Sequence, residues 1–232
     1  MNWKKSLISL LMKRGIYIYR KAHTSDFELR NRIQSELIRQ SNGILHIGGH
    51  LGQEAGFYSK LEKKVLWIEA LPEIHRKLET NILAFPDQYS ICALLGDKDG
   101  LEVEFHIADN DGASSSLYSP EWKLNPPFSV SSVTKLIMNR LDSVLTSEVV
   151  KDLEHWVIDV QGAELPVLRG AGDYLQFCNS LVIEAKEESY YQGGTRYSDL
   201  LTFLLSKGFI PLWSIEDGVE DNVFFVRVKR DK

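Results

Sequence analysis

From Ile44 onward the hydrophobic period of the chain keeps switching between about 2 and about 3.6 residues, and this alternation restricts the fold more than any other feature. Strands are expected over residues 44–48, 65–69, 89–95, 102–108, 156–160, 181–185, 210–214 and 222–229. Helices are expected over 53–61, 72–84, 164–169 and 197–207, with Pro72 suited to a first helical turn and Gly208 to a stop. Such alternation implies a doubly wound α/β fold, a mainly parallel sheet covered by helices on both faces. The last two strands, joined by a segment carrying Asp217-Gly218, read as a terminal antiparallel hairpin. Residues 109–132 interrupt the pattern with a polar, serine-rich stretch, and a loop that long inside a domain is more often functional than idle.

The length of 232 residues allows one full-sized α/β domain, expected over 41–232, preceded by a basic N-terminal helical extension over 1–40. The extension holds nine Lys/Arg against Asp26, Glu28 and Glu36, a net of +6, whereas the other residues hold 18 basic and 29 acidic side chains, a net of -11. An acidic body argues against nonspecific nucleic-acid binding. Two cysteines, Cys92 and Cys178, make no disulfide framework and favour a reducing, cytoplasmic setting. No apolar run approaches the roughly 20 residues of a membrane span. Residues 3–19 alternate basic pairs with apolar clusters, which suits either a helix packed on the body or a peripheral contact with a membrane surface through residues 1–20.

In a doubly wound sheet, ligands bind beyond the carboxyl ends of the strands. The first strand ends in Gly48, Gly49, His50 and Gly52, where glycines let a ligand approach the backbone and a helix N-terminus follows. The second ends in Glu69, a carboxylate able to accept hydrogen bonds from both hydroxyls of a ribose. A third supplies Ala93 and Leu94, and a fourth, Trp156-Val157-Ile158, closes on Asp159. A carboxylate at the end of an apolar strand beside a ligand crevice is a functional candidate, since a buried charge without a task is costly. Glu164 reads equally well as a site residue and as a carboxylate favoured by a helix N-terminus. The six histidines form no metal-ligand cluster, and only His50 is expected to touch the site.

At these residues the sequence resembles the FkbM family of S-adenosylmethionine-dependent methyltransferases. The likeness, from about Ile44 to Val228, runs through His46-Ile47-Gly48-Gly49-His50-Leu51-Gly52, Trp67-Ile68-Glu69-Ala70, Ala93-Leu94-Leu95-Gly96-Asp97, Ser114-Ser115-Ser116-Leu117, Arg140-Leu141-Asp142-Ser143, and the most specific stretch, Ile158-Asp159-Val160-Gln161-Gly162-Ala163-Glu164-Leu165-Pro166-Val167-Leu168-Arg169-Gly170. The family pattern usually opens Asp-Val-Gly-Ala-Asn, so His46, Gly49 and His50 are departures. An acidic residue near that opening often orients the cofactor's amino-acid end, and Glu54 stands one helical turn further on as a replacement.

The resemblance implies the seven-stranded class I methyltransferase sheet, S-adenosyl-L-methionine as cofactor, and O-methylation of a hydroxyl on a sugar, glycan or secondary metabolite. Cofactor contacts are then expected from Gly48, Gly49, His50, Gly52, Glu54, Glu69, Ala70, Ala93, Leu94 and Asp159. Asp159 is the first choice as base, with His50 and Glu184 behind it; Ser115, Ser116, Gln161, Glu164 and Tyr190, with Tyr191 beside it, are expected to meet the acceptor. Two rivals remain at this point. A nicotinamide-dependent oxidoreductase also uses glycines and a strand-end acid, but Gly48-Gly49-x-x-Gly52 is not G-x-G-x-x-G. A noncatalytic binding module of a glycan-assembly complex keeps the fold without turnover, and the departures at His46 and His50 are its support.

Overall fold

Helix α1 (Phe27–Arg39) leads into β1 (Gly43–Ile47), α2 (Ala55–Lys60), β2 (Lys64–Glu69), α3 (Pro72–Ile82), β3 (Gln88–Cys92) and β4 (Leu94–Leu95). Then come β5 (Leu101–Ala108), β6 (Val130–Asn139), α4 (Leu141–Val144), α5 (Ser147–Val150) and β7 (His155–Ile158). The chain closes with α6 (Glu164–Gly170), β8 (Ser180–Ala185), α7 (Tyr197–Ser206), β9 (Phe209–Pro211) and β10 (Asp221–Arg227). This computed structural model describes residues 27–212 and 221–228. The expectations for residues 1–20 and for the turn at Asp217-Gly218 lie outside the described residues. Among the described residues no helix is long and apolar enough to cross a membrane.

Seven strands form the main sheet in the order β3-β2-β1-β7-β8-β10-β9. The first five are parallel, and β10 runs antiparallel between β8 and β9. Every residue of β1 and β7 is buried, because helices cover both faces and leave a central parallel strand no polar side. Successive side chains divide between two cores. Leu45, Ile47, Leu66, Ile68, Trp156 and Ile158 face α6 and α7, while Ile44, Val65, Trp67 and Val157 face α2 and α3. Each such apolar side chain contributes about 1.5–3 kcal/mol when buried. On the second face, Ile33 and Leu37 of α1 pack against Val182, Phe224 and Val226. The described end of the basic extension is therefore bound to the sheet.

Three sequence expectations change here. Residues 89–95 split into β3, in the main sheet, and β4, which pairs with Met138 and Asn139 of β6. Strand 102–108 belongs to a separate three-stranded sheet of order β4-β6-β5, and residues 130–139 supply a strand where none was expected. This small sheet rests through Leu94, Phe105 and Met138 on Leu71 and Ile74. It stands over the carboxyl ends of β2 and β3 and makes one wall of the site. Residues 109–129 are tied down on its edge, with His106 and Ser116 exchanging backbone hydrogen bonds of 2.8 and 3.0 Å.

Candidate active site

The strand order reverses between β1 and β7, and beyond their carboxyl ends opens a cavity of about 260 Å3. Gly48 sets its floor. The glycine has φ +86°, and a Cβ there would stand 1.7 Å from the Asp159 carbonyl oxygen. Its N–H and that of Gly49 donate to the Ile68 carbonyl at 2.9 and 3.0 Å. At Gly49 a Cβ would meet Leu78 and Trp67, and at Gly52, also left-handed, Leu78 again. The close approach these glycines permit is thus between segments of the chain itself.

Glu69, at the end of β2, is held at both carboxylate oxygens. Oε2 accepts the His50 N–H and Oε1 the Leu71 N–H, each at 2.9 Å. Each oxygen keeps lone-pair capacity toward the cavity, so the group is positioned as an acceptor for a vicinal diol. Burial raises its pKa, with the Leu71 and His50 N–H groups pulling the other way. His50 holds a left-handed backbone, φ 42°. Its Nδ1 lies 2.9 Å from Gln53 Nε2, which places the ring proton on Nε2 for the Asp111 carbonyl at 3.0 Å. One residue therefore fixes Glu69 and tethers the serine loop.

Asp159 lies on the opposite side of the floor. Gln161 Nε2 donates to Asp159 Oδ1 at 2.6 Å and to Glu184 Oε2 at 3.0 Å. One amide group thus bridges the two carboxyl groups. Burial raises the Asp159 pKa, while its contacts with Glu184 and Gln161 oppose that rise. Gln161 is itself clamped. The Tyr191 hydroxyl stands 2.8 Å from Gln161 Oε1 and 3.0 Å from the Ser114 carbonyl, and Ser116 Oγ donates to the Gln161 carbonyl at 2.6 Å.

Of the expected cofactor residues, all but Gly52 line the cavity, as do Ser115 and Gln161. Ser116, Glu164, Glu184 and Tyr190 stand outside its lining. Ser116 and Glu184 reach it through Gln161. Glu164 is buried at the head of α6, where its Oε1 accepts the Gly162 N–H at 2.9 Å and burial lifts its pKa to about 7. Tyr190 turns its ring to Lys186 Nζ, 3.5 Å away. His46 corrects the expectation that only His50 touches the site, because it too lines the cavity. Its ring stacks on Trp67 at 4.4 Å and its Nδ1 meets the Tyr58 hydroxyl at 3.1 Å. Burial, with a smaller contribution from His155, drops its pKa to about 3, so it is neutral. Leu117, within the serine-rich motif, walls the cavity from the loop; sequence reasoning missed Phe105, which walls it from the second sheet, and Gln53, which orients His50.

The charge of the cavity is one-sided. Glu54, Glu69 and Asp159 line it, and among the described residues no Lys or Arg does. A pyrophosphate would meet carboxylates and no cation, which weighs against a dinucleotide; a ligand carrying positive charge is favoured. Ile68, Leu94, Leu95, Phe105 and Leu117 supply apolar wall for a flat base. Diol acceptor, apolar wall and anionic lining together fit a sulfonium nucleoside.

Residues 46–211 match the Methyltransferase FkbM domain, which covers most of the chain. The chain belongs to the FkbM methyltransferase family. As a member it is a methyltransferase dependent on S-adenosyl-L-methionine. A relative, the 2-O-methyltransferase NoeI of Sinorhizobium fredii (strain NBRC 101917 / NGR234), is 24% identical over 222 residues, spanning 89% of this chain and 88% of its own. Among solved structures, the N-terminal domain of EvdMO1, crystallised in the presence of SAH and D-fucose, covers 99% of this chain and 98% of its own at a TM-score of 0.51 and 11% identity. That likeness concerns the fold, the class I methyltransferase sheet, to which β10 adds its antiparallel strand.

Proposed function

We propose that this FkbM methyltransferase methylates a hydroxyl group of a sugar, glycan or secondary metabolite. The observation that carries the reading is Asp159, a half-buried carboxyl on the cavity floor whose proton affinity is raised by loss of water and whose orientation Gln161 fixes. An alcohol becomes a competent nucleophile only as its proton leaves, and a carboxylate tuned upward from its ordinary range is suited to receive it. The relative NoeI, a 2-O-methyltransferase, supports the acceptor class, as does D-fucose in the EvdMO1 crystals.

The bound cofactor supplies an electrophilic methyl group on a sulfonium. The chain's task is placement. Glu69 takes the ribose diol, the glycine loop and Ala93-Leu94 wall the nucleoside, and Gln161 aims Asp159 at the acceptor hydroxyl. Ser115 and Leu117 close the cavity from the loop, excluding water. Alignment of this kind supplies roughly 7–11 kcal/mol of a barrier. After transfer the acceptor proton rests on the Asp159–Glu184 pair.

The test uses S-adenosylmethionine labelled in its methyl group and fractionated cell-surface glycans. Label should enter a glycan fraction as an alkali-stable ether, and Asp159→Asn should bind S-adenosylhomocysteine within about threefold of the parent while losing 10²–10⁴-fold in transfer, the range of a general base. Full transfer by Asp159→Asn ends the assignment of the base. Label recovered only in alkali-labile esters or on nitrogen ends that of the hydroxyl.

A further inference from the structure

Beside the cavity, at the outer edge of β5, lies a groove of about 520 Å3. Leu117 lines both, so the two share a rim. The strand edge there is incomplete. His106 turns its backbone N–H and C=O to Ser116, and the alternation of a strand sends those of Glu104, two residues back, to the same side. The loop does not follow to meet them, because the Tyr118 N–H is drawn to Ser116 Oγ at 3.0 Å, and among the described residues no other backbone pairs with that stretch of the edge. The groove is also formed in advance. The Gln192 N–H donates to the Ser119 carbonyl at 2.8 Å and Gln192 Nε2 to the Pro120 carbonyl at 3.1 Å, which holds the loop against the segment after β8, so an occupant has little left to order.

The lining selects a class of occupant. Val103, Met138 and the half-buried Leu117 and Tyr118 offer apolar surface. Around it stand hydrogen-bonding groups: the Glu104 carboxylate with its backbone, the Ser119 hydroxyl 3.2 Å from His106 Nε2, and the exposed Gln192 amide. Among the described residues no Lys or Arg lines the groove, and Glu104 is acidic, so a phosphate or carboxylate is disfavoured. An apolar patch ringed by such donors and acceptors suits a neutral sugar ring, which has a C–H face and hydroxyls at its rim. Size points the same way. The cavity's volume of about 260 Å3 is small beside the roughly 300–1,000 Å3 of sites that enclose a drug-sized ligand, so with the cofactor in place the body of an acceptor lies beyond its mouth. We infer that the groove at the edge of β5 holds the neutral sugar unit linked to the one that is methylated, so that the acceptor is a glycan of at least two units crossing over Leu117. The inference rests on the O-methylation reading and adds the acceptor's second unit.

Transfer of labelled methyl to two probes tests it: oligosaccharides released from a cell-surface glycan fraction, and the monosaccharides obtained from the same fraction by complete hydrolysis. The parent protein should show kcat/KM roughly 10- to 100-fold higher on the oligosaccharides, the worth of a few added hydrogen bonds. Glu104 and Gln192 are exposed and tolerate truncation. The double substitution Glu104→Ala, Gln192→Ala should reduce that preference roughly 10-fold, chiefly through KM, because the contacts it removes are the same before and during transfer. S-adenosylhomocysteine should still bind the double variant within about twofold of the parent, which reports an intact cofactor site. Equal kcat/KM on the two probes in the parent, or a preference that survives the double substitution, overturns the role of the groove while leaving O-methylation in place. Absence of label from both probes while S-adenosylhomocysteine binds overturns the hydroxyl reading, and this inference with it.

Discussion

Gln161 keeps a backbone conformation, φ 54°, that residues with a Cβ rarely adopt. Such strain costs on the order of 1–3 kcal/mol and persists only where the surroundings fix it. Here both carboxylates, the Tyr191 hydroxyl and Ser116 do so, and the conformation lets one amide bridge Asp159 and Glu184. Gly48 meets the same crowding from below. Its absent Cβ leaves room for the Asp159 carbonyl, so the end of β1 can pass against the end of β7. Gly48→Ala should therefore cost more than about 3 kcal/mol, because the obstacle is backbone and the φ is unfavourable for alanine. Urea titration measures it, and a loss under about 1 kcal/mol would show that the β1–β7 junction yields. The glycine motif is legible as a site from the residues alone, but its reason is not. The sequence suggests room for a ligand, whereas the occupant of that space at Gly48 comes from a segment more than a hundred residues away.

At the scale of elements, the segment from Asp109 to Ser119 is a roof anchored at several points, Ser116 Oγ on the Gln161 carbonyl among them. His106 pairs with Ser116, Ser115 Oγ accepts the Ala108 N–H at 3.1 Å, His50 reaches Asp111, and Tyr191 reaches Ser114. Tyr191 links this roof to the floor, because its hydroxyl also meets Gln161. Tyr191→Phe keeps the ring packed on Phe128 and removes only the hydroxyl. It should cost about 1 kcal/mol overall and speed hydrogen exchange at the amides of 112–117 selectively. Unchanged exchange there would show that the other anchors suffice. The sequence reveals β1, β2, β7 and β8 because each is a short buried run beside a recognisable helix. It conceals β6, whose Val133 and Ile137 are half exposed among serines and Lys135, so neither face reads as buried. It also conceals the break between β3 and β4: Leu94 and Leu95 are buried after the switch of sheets, and the apolar run continues through it. The Tyr191 to Gln161 tie spans 30 residues and leaves no local pattern.

Over the whole molecule, burial of titratable groups makes stability depend on pH in two opposed ways. His46 and His155 are buried and neutral, each with a folded pKa of about 3, chiefly through loss of water. The unfolded chain protonates them near 6.5, so between about 6.5 and 3 it binds the extra protons, and their contribution, complete above 6.5, is lost as pH falls. Glu164 acts in reverse. Its folded pKa of about 7 lies above the unfolded value near 4.5, so the folded state binds the extra proton in that interval and stability declines as pH rises through it. Gln at 164 can still accept the Gly162 N–H without ionising, and Gln at 155 can still meet Ser180 Oγ, the present partner of His155 Nδ1 at 2.8 Å. Relative to the parent, Glu164→Gln should gain stability as pH rises from about 4.5 to 7, and His155→Gln should gain as pH falls from about 6.5 toward 3. Urea midpoints of the three proteins, taken at half-unit steps from pH 4 to 8, should give difference curves of opposite slope. A flat curve for Glu164→Gln would mean that the α6 carboxyl is hydrated in the folded state, and a flat one for His155→Gln would mean that β7 admits a charged imidazole between β1 and β8.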